Sequence, residues 1–334
     1  MSVLSREIRL AATPRGLPAP TDFTVTETRL PDPVDGQLLL RNHQFLLFAG
    51  LRTLLGGAAR NTPVPALAPG DTLYGPALAE VIHAPDDSPL RPGDLVTHFL
   101  GWREYALAPA SQCTPVAPEL PDPLAQLSSG GAAFGALTRL TGVREDDIVL
   151  VTGAAGGVGS LAGQIARLLG AKRVIGTTSS PRKAGRLVTE LGYDDVLTGT
   201  DDWGARLADG IDVLVDTVGG AQLAAAVDVA RRGARFALVG ALSGQLAAEG
   251  TGATAPVAFD AYQLVLKGVS LRGYLGVDHP GVEAEWIARF AHWLRAGEIR
   301  FPVTRTTGIE RAPQALRDLF EGKQFGTAVV ELAE

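Results

Sequence analysis

The sequence predicts an α/β protein in two parts, a β-rich barrel-like part and an open, doubly wound parallel sheet. Three observations carry this. Residues 1 to about 120 hold short apolar runs broken by Pro, Gly and Asp, which is how many short strands with turns between them read. From Ile148 onward strand-like and helix-like segments alternate, the rhythm of a parallel sheet with crossover helices. At the join, residues 149–170 read VLVTGAAGGVGSLAGQIARLLG: a buried-strand run, a glycine cluster and an amphipathic helix, in that order.

Taken in order, strands are expected at Gln37–Arg41, Leu78–Ile82 and Leu95–Phe99, the last entered through the turn Arg91-Pro92-Gly93-Asp94. Proline is frequent around Pro115–Pro123, and Leu124–Leu140, rich in Gly, Ala and Leu, reads as helical. The short β-branched run Ile148–Val151 is the first parallel strand. Val158, Leu161, Ala162, Ile165, Ala166 and Leu169 then recur at helical spacing and lay one apolar stripe on the sheet. Arg173–Gly176 is the second strand. A helix from Pro181 to about Leu191 follows, with Ser180 at its cap and proline in its first turn. Further strands are expected at Asp195–Leu197, Val213–Asp216, Arg235–Val239 and Val269–Tyr274, and helices at Gln222–Ala230, Trp286–Ala296 and Ala312–Glu321. Residues 241–261 read as a loop over the sheet's carboxyl edge, and Gly326–Leu332 as a closing strand.

Bulk properties exclude several classes. A 334-residue chain with 46% apolar and 20% charged residues reads as soluble and globular. A net charge of −6 without a basic run argues against nucleic acid as a partner. No apolar stretch approaches the ~20 residues that span a bilayer. The N-terminal stretch is charged early and lacks the apolar core of a secretory signal, so a cytoplasmic protein is expected. Cys113 is the only cysteine, and His43, His83, His98, His279 and His292 are scattered. No thiolate zinc cluster can form, and no metal is expected.

Strand, glycine turn and helix together make a phosphate site. Glycines let the backbone turn tightly and approach the ligand, and the helix N-terminus offers unpaired N–H groups. The spacing is that of the dinucleotide fingerprint with Ala154 in place of its first glycine, followed by Gly156 and Gly159. Ala155, Gly156, Gly157 and Val158 are therefore expected against the cofactor's pyrophosphate. About 20 residues further on, an NAD site usually carries Asp or Glu for the ribose 2′-hydroxyl. Here Thr177, Thr178, Ser179 and Ser180 stand there, followed by Arg182 and Lys183. Cations in a helix's first turn oppose the macrodipole by about 0.3–1 kcal/mol, which a bound 2′-phosphate reverses, so NADPH is preferred to NADH. Val218 with the glycines after it, and Gly240-Ala241, end later strands where ribose and nicotinamide would lie.

On these and other segments the chain resembles the zinc-independent medium-chain dehydrogenase/reductases. It is most similar to their NADPH-dependent double-bond reductase branch, which includes prostaglandin, plant alkenal and bacterial curcumin-type reductases. The segments are TPRGLP at 13–18 with Asp22-Phe23, RPGDLV at 91–96, GWREY at 101–105, GAAGGVGS at 153–160, LRGYL at 271–275 and FEGKQFGT at 320–327. The resemblance implies a GroES-like domain of residues 1–122 and 271–334, with a Rossmann domain of residues 123–270 inserted in it. It implies NADPH in the cleft between them, Lys183 on the 2′-phosphate, Tyr274 on the nicotinamide, Gln324 as a last cofactor contact, and a homodimer. The implied reaction delivers hydride to the β-carbon of an α,β-unsaturated aldehyde or ketone. Two other functions stay open: an NADPH:quinone reductase, and a cofactor-binding protein with little catalysis.

The departures from the branch fall on the substrate side. Its active-site tyrosine position is Gly50, a second tyrosine position falls near Leu266, and the position after the closing glycine, usually Lys, is Thr327. Gly50 and Leu266 are expected to line a reshaped, more apolar pocket. Tyr262, one helical turn before Leu266, could stabilise the enolate, as could a ribose hydroxyl or water. For Tyr262 and Tyr274 alike, an aromatic ring packed in the core or on the cleft wall is an equal reading.

Overall fold

The computed structural model describes residues 3–56, 65–200 and 202–332. β1 (Val3–Leu10) pairs antiparallel with β2 (Phe23–Leu30). β3 (Gln37–Leu47) is the spine of the barrel part. It is followed by α1 (Leu51–Leu55), β4 (Ala77–His83), β5 (Leu95–His98), β6 (Tyr105–Pro109) and β7 (Thr114–Pro115). β3 is long enough to pair with β4 along one side while its other side meets β6 over Gln37–Arg41. Its inward residues, Leu38, Leu40 and Phe45, are fully buried.

The helix expected over 124–140 is interrupted at Ser128–Ser129: a 3-10 turn, Pro123–Leu127, precedes a short α2 (Gly130–Gly135), which runs on into a π-helical segment, Ala136–Thr141. Its glycines are required by packing. A Cβ on Gly130 would stand 2.0 Å from the Trp286 ring, one on Gly131 2.0 Å from the Glu283 carboxylate, and one on Gly135 2.1 Å from the Tyr274 hydroxyl.

The second part alternates as expected. β8 (Ile148–Val151), α3 (Gly159–Leu168), β9 (Arg173–Thr177), α4 (Pro181–Leu191), β10 (Asp195–Leu197) and α5 (Trp203–Arg206) make one half. β11 (Ile211–Asp216), α6 (Gly220–Asp228), β12 (Ala230–Leu238), α7 (Leu242–Gln245), α8 (Ala261–Lys267) and β13 (Ser270–Gly273) make the other. The strands are parallel in the order β10-β9-β8-β11-β12-β13, the doubly wound arrangement whose switch point falls between β8 and β11.

The boundary read at 270/271 needs correction. β13 is the last strand of the parallel sheet, pairing with Arg235–Leu238 of β12. α9 (Val282–Ala296) buries Trp286 and Phe290 in the same core as α3 and β8. The chain re-enters the barrel sheet only at β14 (Val303–Thr307), continues into α10 (Ala312–Phe320), and ends in β15 (Thr327–Glu331), which joins β14 to β3. The LRGYL motif marks a strand end of the parallel sheet, and a motif shared along a chain carries no information on which sheet it joins.

Two cores cover the parallel sheet. One face packs against α3 and α9 around Val149, Leu161, Ile165 and Trp286. The other packs Leu150, Leu214 and Phe236 against Trp203, Leu223 and Leu264 of α5, α6 and α8. A separate core fills the barrel part around Phe45, Leu47, Trp102 and Leu316.

Candidate active site between the two sheets

The glycine turn after β8 is shaped by three different demands. Gly153 has φ +61°, a region L side chains avoid, and its N–H donates to Thr177 Oγ1 at 3.0 Å. Gly159 must be glycine because a Cβ would stand 2.5 Å from Gly153 O and 2.6 Å from Ala154 Cα. Gly156 and Gly157 instead keep their outward sides open, with nothing closer than 3.4 Å and 3.5 Å to a Cβ. That is a tight turn closed on the inside and clear on the outside, where a phosphate can approach backbone N–H groups.

The neighbouring strand ends are braced from within. Asp216, wholly buried at the end of β11, accepts the Thr152 hydroxyl at 2.5 Å and the N–H groups of Val218 (3.1 Å) and Gly219 (3.0 Å). Thr217 Oγ1 donates to Thr152 O at 2.8 Å. These bonds fix Val218 on the carboxyl edge, with Gly240 and Ala241 beside it through Leu242 N–H to Thr217 O (3.1 Å). The barrel part touches the same turn: Gly326 N–H donates to Ala155 O at 2.9 Å.

Past β9 there is no carboxylate at the strand end. Ser179 is exposed, and Ser180 Oγ caps α4 by accepting the Lys183 N–H at 3.5 Å. Arg182 is exposed and has no ion-pair partner among the described residues, whereas Arg186 pairs with Glu190 at 2.6 Å. The Lys183 ammonium is buried and reaches the carbonyl of Gly322 across the interface. Burial, with Arg182 and Arg186 nearby, holds it below the ordinary lysine range. Lys183 thus stands in the first turn of α4, tied to the barrel part. Gln324 stands half-buried two residues before Gly326.

Next to the turn a cleft of about 540 Å³ opens between the start of α2 and residues 274–283. Val158, Val239 and Tyr274 line it together with Ser129, His279 and Glu283. Tyr274 is held by its N–H to Leu238 O (2.8 Å), and its ring stacks on His279 at 5.1 Å and 4°. Burial, then the Glu283 carboxylate, raises the Tyr274 hydroxyl above the usual range. The structure therefore gathers Ala155, Gly156, Gly157, Val158, Val218, Gly240, Ala241 and Tyr274 along one edge.

It does not bring Tyr262 or Leu266 there. Both lie on α8, against the sheet face opposite to the cleft, and are 62% and 48% exposed. The inward position of that helix is Leu264, so the face chosen from helical spacing points to solvent. Gly50 does face the interface: Phe48 lies 3.3 Å and the Gln245 amide 3.9 Å from the position of its absent Cβ.

Sequence reasoning missed two hydroxyls beside the turn. Ser129 Oγ and Thr327 Oγ1 stand 3.5 Å and 3.7 Å from the Cβ position of Gly157. Thr327 Oγ1 is buried without a partner among the described residues. Thr327 was legible only as a missing lysine, and nothing near Ser129 marks it.

Among the described residues, no group of three or more His, Cys, Asp or Glu side chains is placed to hold a metal ion. Burial pushes the Cys113 thiol up to about 11, away from reactivity.

Residues 157–293 match the zinc-binding dehydrogenase family, and residues 6–116 match the N-terminal domain of oxidoreductase. The NADPH-dependent curcumin reductase of Escherichia coli is 27% identical, over 97% of this chain and 96% of that protein. Prostaglandin reductase 1 of Rattus norvegicus is 27% identical over 95% of each. The crystal structure of CurA from Vibrio vulnificus in complex with NADPH superposes with a TM-score of 0.89 at 27% identity, covering 98% of this chain and 99% of that one.

Proposed function

We propose that this chain is a medium-chain dehydrogenase/reductase, an NADPH-dependent oxidoreductase acting on carbon–carbon double bonds, and that its substrate is an α,β-unsaturated aldehyde or ketone. One observation carries the cofactor half of this reading. An outwardly open glycine turn stands beside a strand end that has hydroxyls, a helix N-terminus and two cations where an acid would otherwise be.

In this reading Ala155–Val158 take the pyrophosphate, and Ser179, Arg182 and Lys183 take the 2′-phosphate. Val218, Gly240, Ala241 and Tyr274 position the ribose and nicotinamide, with Gln324 as the last contact. When bound, the reduced nicotinamide supplies a hydride to the substrate's β-carbon, and a proton then adds to the α-carbon. The protein's share is to exclude water, hold the ring against Val239 and Tyr274, and offer donors to the oxygen on which charge develops.

The test is NADPH oxidation by the full chain with an enone, an enal and a quinone in parallel. Turnover fastest with the enone or enal is expected; faster turnover with the quinone, or tight NADPH binding without turnover, would overturn the reading.

We also propose that the enzyme is a homodimer. β13 is an edge strand, and Tyr262, Val265, Leu266, Leu275 and Val277 beside it are 48–73% exposed. Unpaired strand edges and clustered apolar side chains invite a partner. No helix among the described residues is long and apolar enough to cross a membrane. A sedimentation measurement that finds only monomer at micromolar concentration would count against the dimer.

A further inference from the structure

The segment after β12 crosses from the parallel sheet to the barrel part. Leu242 N–H and Ser243 N–H donate to Thr217 O and Val218 O (3.1 and 2.8 Å), which suspends α7 from the carboxyl edge of the parallel sheet. The Leu242 side chain reaches to 3.6 Å from the Cβ position of Gly153 in the cofactor turn. Beyond it, Leu246 packs against the barrel core, as do Phe48 and Tyr74. The guanidinium of Arg52, wholly buried, donates to the carbonyls of Gly250 and Thr251, and Thr53 Oγ1 donates to Gly252 O at 3.0 Å. A buried cation spent on backbone carbonyls holds this crossing at one height, because withdrawing either partner would leave a charge unsatisfied in the interior.

That height sets Gln245 opposite Gly50. Its Nε2 lies 3.9 Å from the point where a Cβ of residue 50 would stand, and the Phe48 ring lies 3.3 Å from the same point. The Gln245 side chain is half-exposed and has no hydrogen bond among the described residues. Gly50 itself has φ −59°, ordinary right-handed backbone. Its lack of a side chain is therefore not demanded by conformation; what it provides is room beside an amide and an aromatic wall.

We propose that Gln245 donates the hydrogen bond that binds the substrate's carbonyl oxygen, and that the room at Gly50 receives that carbonyl. This rests on the double-bond reductase reading. The electron count requires such a donor. Hydride brings one pair to the β-carbon, the double-bond pair moves between the α-carbon and the carbonyl carbon, and the carbonyl pair moves onto oxygen. Water then gives a proton to the α-carbon, the oxygen pair returns to the carbonyl, and the hydroxide left behind takes up a proton from solvent. Charge on oxygen peaks midway, where a fixed neutral donor gains most.

Removing one such donor costs on the order of 100-fold or more in kcat. Gln245→Leu in the full chain is expected to lose about that with an enone, with NADPH affinity by fluorescence within twofold. Gln245→Glu keeps the shape and supplies an acceptor in place of the donor. It is expected to be at least as impaired at neutral pH and to recover as pH falls and the carboxyl becomes an O–H donor, a profile no purely structural role produces. Wild-type turnover of enones with Gln245→Leu within threefold of it would overturn this inference and leave the reading intact. A wild type that reduces no enone would overturn both. If Gln245→Leu does not fold, the isosteric Gln245→Glu decides: a flat pH ratio to wild type would overturn the proposal.

Discussion

The two parts that meet at the cofactor turn treat their polar groups in opposite ways. In the parallel-sheet part, Asp216, Thr152, Thr177 and Thr217 are buried and bonded to one another or to the turn backbone. In the barrel part, Thr327 Oγ1, Trp102 Nε1 and Arg52 Nε are buried without a partner among the described residues. Leaving a buried donor unmet costs about 1–3 kcal/mol. The first part is thus finished as protein, and the second carries polar groups that protein alone does not satisfy. A rigid part suits a cofactor whose shape never changes; the other is where the second reactant's chemistry is decided.

The sharpest way to break this contrast is to put a methyl group on each part. A Cβ at Gly159 meets two backbone atoms within 2.6 Å, and backbone cannot yield cheaply. Gly159→Ala is expected to cost about 3 kcal/mol or more and to weaken NADPH on the order of 100-fold, measured by urea denaturation and fluorescence titration. Gly50→Ala meets only the Phe48 ring at 3.3 Å and is expected to cost under about 1 kcal/mol. Similar losses for the two would mean that the parts are equally rigid.

Acid separates the two bodies as well. His98, buried in the barrel part, bonds Asn42 Oδ1 through Nε2 at 2.7 Å, while its Nδ1 accepts the Leu100 N–H at 3.1 Å. Burial, then Arg103, lowers its pKa to about 4 from 6.5. The folded pKa is depressed, so between those values the unfolded chain binds the proton and the folded one does not. This contribution to stability is complete above about pH 6.5, declines as pH falls, and has run out below about 4; it is worth about 2–3 kcal/mol. Urea denaturation at pH 7 and pH 4.5 should show it, and the pH dependence in this window should shrink in His98→Gln.

Lys183→Glu tests the cofactor wall more narrowly. It places a carboxylate where a 2′-phosphate is proposed and removes the bond to Gly322. NADPH is expected to weaken about 10- to 100-fold and NADH less than threefold, by the worth of one charge-assisted contact. Equal losses would assign Lys183 to the interface with Gly322 alone.

The same contrast explains what was legible in the sequence. The cofactor wall is local: β8, the turn and α3 are contiguous, and so are β9, Ser180 and α4, so spacing and capping chemistry expose them. The rest of the site draws Phe48, Gly50 and Thr327 from the barrel part and Ser129 and Gln245 from the other, which meet only after two sheets have folded. β14 escaped notice because VTRTT has no apolar run, its exposure alternating little along an edge strand. The return to the barrel was placed too early because helix α9 is amphipathic in any setting, and only its contact with α2 through Gly130 and Trp286 shows which body it belongs to.

Tyr262 is the smallest expected effect and the cleanest separation of sequence from structure. Seven residues of α8 place Leu264 inward and leave Tyr262, Val265 and Leu266 outward. The Tyr262 N–H is spent on Asp260, whose carboxylate caps the helix at 2.9 Å, so the backbone fixes the phase firmly. Tyr262→Phe is expected to leave kcat/KM for an enone within twofold of wild type, since it removes one exposed hydroxyl. A loss above tenfold at constant NADPH affinity would place that hydroxyl at a reacting centre, which this chain alone cannot bring to it, and would make the exposed face of α8 part of the active site of a second copy.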